Sequence, residues 1–228
     1  MTAPRPVLIA CSMLENEILH CLREDDIDIE VVWMDRNLHE RPERLRTELQ
    51  REIDRRQDAR YVLLAFCMCG NGTLGLSSGN ATLVIPRYDD CIRMYLALDP
   101  GKCLSMRNDS LYYTKGWIDG DSFLTKQLDK YYERYGAKKT QRIIELMYGQ
   151  YTGVTLIDTG AYDVAECMDD ARRAACMIGA GFNVCGGSTR TIRKLLRREW
   201  DEEFCVIPPG RSVSPDDFMT IRLFQEDA

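Results

Sequence analysis

Short apolar runs recur along the chain, separated by stretches of helical periodicity. Pro6 to Cys11 (PVLIAC), Ile27 to Met34 (IDIEVVWM), Tyr61 to Phe66 (YVLLAF) and Ala81 to Pro86 (ATLVIP) read as strands. The third and fourth are too continuously apolar to be half-exposed, which suits a parallel sheet covered on both faces. Leu14 to Leu22 and Pro42 to Arg56 read as helices, the second with Leu45, Leu49 and Ile53 on one face, and another helix is expected over Asp90 to Leu98. Asp99 to Asp121 interrupts the rhythm, because DPGK, RNDS and WIDGD are turn-rich sequences around the aromatic segment LYYTKGWI. Helices are expected at Asp121 to Tyr135 and Ala137 to Tyr148. The alternation then resumes with a strand at Gly153 to Asp158, a helix at Tyr162 to Ile178, a strand at Phe182 to Cys185, a basic helix at Thr189 to Trp200 and a strand at Phe204 to Ile207, stopped by PPG.

This pattern predicts an α/β protein: two Rossmann-like lobes with mainly parallel sheets packed into one compact unit. The expected division is an N-terminal α/β lobe over residues 1–100, an irregular and helical middle segment over 101–150, and a C-terminal α/β lobe over 151–228. A chain of 228 residues, 45% hydrophobic and 29% charged, can bury a sizeable core. A net charge of −6, with the arginines scattered among acids, gives no basic field and argues against nucleic acid as a partner. No apolar run approaches the roughly 20 residues that span a bilayer. MTAPRPVLIACSML is too short in its apolar part to be a signal sequence, so no membrane role and a cytoplasmic location are expected.

Ten cysteines are many for a compartment that keeps thiols reduced, where such a count points to metal or catalysis before disulfides. A single free cysteine is ordinarily a small buried hydrophobe, so position must separate the ten. In open α/β sheets ligands sit beyond the carboxyl ends of the strands. Cys11 ends the first strand, Cys67 and Cys69 end the third, and Cys91 follows the fourth. Cys185, before Gly186-Gly187-Ser188, occupies the matching place in the second lobe. Cys21, Cys103, Cys167, Cys176 and Cys205 fall on helix faces, in a turn or inside a strand, and read as structural. Thiolates converging at one edge would repel one another unless a cation lay between them. In CMCGNGTLGL, Gly70, Gly72 and Gly75 let backbone amides approach such a centre.

Other residues near this edge are weaker candidates. Arg87, Asp89 and Asp90 stand beside Cys91, with either aspartate a natural helix N-cap. Asp158 and Thr159 end a strand of the second lobe, where an acid before a turn is common. His39 follows the second strand and could approach the crevice as a ligand, yet a lone histidine before a helix is more often a surface or capping residue, and His20 belongs to a helix face. No Ser–His–Asp or Cys–His nucleophile pairing is legible, and neither GxGxxG nor GxxxxGK[ST] occurs. A thioredoxin-type redox role is disfavoured, since the chain has CxC where that chemistry uses CxxC.

LIAC, CMCGNGTLGL, LVIPRYDDCI, YYTKGWI, LIDTGAYD and FCVIPPG together resemble a bacterial and archaeal family of cytoplasmic proteins with a domain of unknown function, over nearly the whole chain. The resemblance implies an anaerobic setting, often beside genes for corrinoid-dependent methyltransferases of the trimethylamine type. It also implies that Cys11, Cys69 and Cys91 are the recurring cysteines, with Cys67 and Cys185 peculiar to this branch.

Three thiolates suit a four-iron iron–sulfur cluster (4Fe-4S) with one open iron, or zinc with an open fourth position. The anaerobic setting and the surplus thiols favour the cluster, with zinc as the alternative. Tyr113 and Trp117, with Tyr112 and Lys115, suit a lid over a flat or anionic small molecule, although aromatics in such a segment more often pin it to the core. Two functions follow. One is a cluster-bearing enzyme or electron carrier in corrinoid-linked methyl or one-carbon metabolism. The other is an accessory module that presents zinc or a corrinoid to a methyltransferase, with a corrinoid protein or that methyltransferase as partner.

Overall fold

The computed structural model describes residues 5–99 and 102–219. In chain order the elements are β1 (Val7–Cys11), α1 (Glu15–Glu24), β2 (Glu30–Met34), α2 (Pro42–Asp54), β3 (Tyr61–Ala65), β4 (Thr82–Pro86), α3 (Cys91–Leu96), β5 (Ala97–Asp99), β6 (Lys102–Cys103), β7 (Ser110–Tyr113), α4 (Lys115–Ile118), α5 (Leu124–Tyr148), β8 (Gly153–Asp158), α6 (Ala165–Ile178), β9 (Gly181–Gly186), α7 (Arg190–Arg197) and β10 (Phe204–Ile207), with a last turn of helix at Asp216–Met219. The protein is α/β with mainly parallel sheets, as the alternation of apolar runs and helical periodicity predicts.

Two compact units divide the chain: Met1–Leu104 with Ser188–Ala228, and Ser105–Gly187. In the first, five strands lie in the order β10-β4-β3-β1-β2, all parallel except β10, which runs antiparallel to β4. Every residue of β1 is buried, and so is every residue of β3 and β4 after the first. That explains their unbroken apolar runs: helices cover both faces, and side chains alternating across the pleat all meet a core. α2 presents Leu45, Leu49 and Ile53 to this core, α1 presents Ile18 and Cys21, and α7 presents Ile192, Leu195 and Leu196.

The second unit is a parallel sheet, β7-β8-β9, with α6 packed on β8 and β9 and α5 packed on α6. Its core joins Tyr113, Phe123, Leu128, Ile144, Val154 and Leu156 to the small-residue face Cys167, Ala171, Ala174 and Ala175 of α6. α5 includes Gly136 at φ 72° and ψ 170°, a non-helical link at the position where the sequence predicts a break between two helices.

The division falls elsewhere than at residues 100 and 150. Residues 188–219, expected in the C-terminal lobe, belong with the first sheet, because β10 pairs with β4 and α7 packs on β3 and β4. A long-range antiparallel pairing leaves no local trace in sequence. The stretch expected to be irregular also contains strand β7, whose register runs Ser110 opposite Gly153 to Tyr113 opposite Leu156.

Candidate metal centre

Three strand ends of the first unit build the site. β1 finishes at Cys11, opposite Met34 of β2. Beyond Met34, the Asp35 carboxylate accepts from the Asn37 amide at 2.9 Å and opens a single 3-10 turn, Arg36–Glu40. The Arg36 amide donates to Ser12 Oγ at 3.1 Å, which ties this turn to the chain leaving β1. The fold-back brings His39 Nε2 to 3.0 Å from Cys11 Sγ. The His39 ring also lies near Phe66, with centroids 6.1 Å apart.

The segment after β3 is fixed from two sides. The Met68 and Cys69 amides each donate at 2.9 Å, to the carbonyls of Tyr88 and Asp89 respectively, so the loops after β3 and β4 are laced together. Cys69, Gly70 and Asn71 all take positive φ (49°, 62° and 72°), and the Gly72 amide closes the turn on the Cys69 carbonyl at 3.1 Å. Gly70 fits this backbone without cost; Cys69 and Asn71 do not. At Gly72 a Cβ would stand 2.7 Å from Leu45 Cδ2, so the loop lies directly on α2. The Asp90 carboxylate caps α3 by accepting from the Arg93 amide at 2.9 Å, which sets Cys91 at the first turn.

These loops leave one small cavity lined by Cys11, Met13, Leu14, His39, Ala65, Phe66, Cys67, Cys69 and Cys91. Its volume is about 10 Å³, the space of about one water molecule. Burial pushes the Cys11 thiol up to about 11, and burial followed by the charge of Cys11 pushes Cys69 up to about 12. Cys67 and Cys91 are likewise raised well above the ordinary thiol value, by burial and then by Cys69. Burial also lowers His39 from its ordinary value. At neutral pH the site is therefore a set of protonated thiols facing a neutral imidazole. An unaided nucleophilic or redox cysteine needs the opposite shift, toward thiolate. A cation would supply the missing charge.

Among the described residues no three of His, Cys, Asp or Glu stand in an arrangement that would hold a metal ion as it is. The donors share a cavity without meeting at a point, so loading requires their side chains to turn inward. A four-iron cluster is larger than the space present. A single ion matches the space.

The remaining expected residues lie elsewhere. Cys185 is half-buried in β9, Tyr113 in β7 packs edge-on against Phe123 with ring centroids 5.0 Å apart, and Trp117 in α4 packs on the same core, all within the second unit. Asp158 caps a turn by accepting from the Gly160 amide at 3.0 Å. Cys21, Cys167 and Cys205 are buried packing residues and Cys176 is exposed, while the side chain of Cys103 lies outside the described residues. His39 is the donor that the sequence ranks low, because a lone histidine before a helix is more often a surface or capping residue; its trace is its place just beyond the strand neighbouring β1. Unforeseen in the sequence is the brace behind Cys91. There Tyr88 Oη donates to Glu203 at 2.5 Å, and Arg190 and Lys194 hold the same buried carboxylate.

A family model described as "Protein of unknown function (DUF1638)" matches residues 33–196, well over half of the chain. The match takes in His39, Cys67, Cys69 and Cys91 and begins after Cys11. No curated protein and no solved structure matches the chain.

Proposed function

The chain belongs to the DUF1638 family, and we propose that it is a cysteine-ligated metalloprotein whose centre is held by Cys11, Cys69 and Cys91. The observation that carries this reading is that thiols from three separate strand ends line one cavity. Packing alone seldom gathers so many sulfurs, and burial keeps each of them protonated and inert until a soft cation displaces the protons. Thiolate and imidazole donors select zinc, iron or cobalt over magnesium or calcium.

The size of the cavity favours a single ion over the four-iron cluster. The abundance of thiol, with Cys67 beside Cys69, favours the cluster. Either centre, with an exchangeable position, would act as a Lewis acid or an electron site in the corrinoid-linked methyl chemistry that the family resemblance suggests. A corrinoid protein or a methyltransferase would be its partner.

Protein purified without oxygen should contain about one metal centre per chain. A broad visible absorption bleached by dithionite would assign iron–sulfur, and a featureless spectrum with bound zinc would assign the single ion. Cys11→Ser, Cys69→Ser and Cys91→Ser should each lose most of the metal, while Cys21→Ser and Cys176→Ser keep it. Full metal in all five variants would overturn the proposal.

A further inference from the structure

We propose that His39 is a direct ligand, making the centre a three-sulfur, one-nitrogen site for a single zinc-class ion; this deepens and rests on the metal reading above. Two observations converge. His39 lines the same cavity as Cys11, Cys69 and Cys91, its Nε2 is the ring nitrogen turned toward Cys11 Sγ, and the two atoms are 3.0 Å apart. In a tetrahedral zinc site with Zn–S of about 2.3 Å and Zn–N of about 2.0 Å, neighbouring sulfur and nitrogen ligands stand about 3.6 Å apart. An ion entering between them parts this pair by roughly half an ångström, while the Cys69 and Cys91 side chains turn inward to complete the site.

The position of His39 is also built. The Asp35 cap and the Arg36 to Ser12 hydrogen bond hold its turn against the end of β1, and the ring is backed by Phe66. On loading, Cys11, Cys69 and Cys91 each give their S–H proton to solvent. His39 binds through the Nε2 lone pair with its proton on Nδ1, so no oxidant or reductant is consumed. Cys67, at the far end of the CxC, is then a neighbour of the centre and not its fourth ligand.

X-ray absorption at the zinc edge of the full chain, loaded anaerobically with zinc, tests this. Wild-type protein should show three sulfurs at about 2.3 Å and one imidazole nitrogen at about 2.0 Å. His39→Ala should lose the imidazole signal and weaken zinc binding at least about tenfold. His39→Cys should retain zinc with sulfur ligands alone, which separates a lost ligand from a misfolded loop. Four sulfurs and no imidazole in the wild type, with affinity in His39→Ala within about twofold, would overturn the inference and make Cys67 the fourth ligand while leaving the metal reading intact. Failure of wild-type protein to bind zinc, iron or cobalt at all would overturn both.

Discussion

Cys69 holds a left-handed backbone at φ 49° without a glycine's freedom, beside Asn71 in the same region. Such conformations cost on the order of 1 kcal/mol each, and they persist where the surroundings impose them, often at functional sites. Comparing two substitutions that both remove the thiol isolates that cost. Cys69→Gly should be about 1 kcal/mol more stable than Cys69→Ala in urea, with neither binding metal. Equal stability would mean that the turn is not strained. The thiols also set a pH dependence. With Cys11 raised to about 11, Cys69 to about 12, and Cys91 raised well above the ordinary thiol value by burial, each is protonated at neutral pH and must lose a proton on binding. Zinc affinity should therefore climb as pH rises from about 6 toward 9, with a slope approaching three protons per ion for the three cysteines, measured by competition with a chelator of known pH behaviour. A flat profile would show that the thiols do not ligate. Cys11, Cys67, Cys69 and Cys91 were legible because a strand end in a parallel sheet is a predictable place. His39 was legible only as a weak candidate, since it is the fold-back of a 3-10 turn that carries it from a polar stretch to the sulfur of a neighbouring strand.

At the scale of elements, the loop that presents Cys91 is braced by Glu203, which joins Arg190, Lys194 and Tyr88 and holds β10 and α7 to the end of β4. Burial alone would raise the Glu203 carboxyl, but its basic and phenolic partners outweigh that effect and lower it from 4.5 to about 2. A carboxyl lowered on folding adds stability that is fully present above its unfolded value and is lost as pH falls through the folded one. The Glu203 contribution, on the order of 3 kcal/mol, should thus disappear between about pH 4.5 and 2. Wild-type urea midpoints should fall across that window more steeply than those of Glu203→Gln, which should already be destabilised at pH 7; parallel curves would contradict the ion-pair account. The parallel strands were readable because a short, unbroken apolar run bounded by turns fits little besides a strand buried on both faces. The partner of β10 was not, because antiparallel addition to a distant edge depends on contacts between residues far apart in the chain. The strand in the aromatic segment was not readable for a related reason: turn-rich sequence around it hides β7, whose pairing with β8 puts Tyr113 in the core of the second unit with Trp117 half-buried against it.

For the molecule as a whole, no described helix is long and apolar enough to cross a membrane, and the charge of −6 provides no attraction to polyanions. What distinguishes the chain is one small thiol-lined cavity in the first unit. Metal bound there stabilises the folded state by mass action, by about 2.7 kcal/mol at a hundredfold excess over the dissociation constant. Amide exchange should slow in segments 10–14, 36–40, 66–75 and 87–92 on loading, with residues 105–187 unchanged; slowing spread evenly over both units would place the metal elsewhere. The most direct test of the central claim is an anomalous-scattering map from crystals of the chain purified and grown without oxygen. A single peak should appear in the cavity, within about 2.3 Å of the sulfurs of Cys11, Cys69 and Cys91. A map with no peak there, or with metal bound only at Cys176 or Cys185, would contradict it.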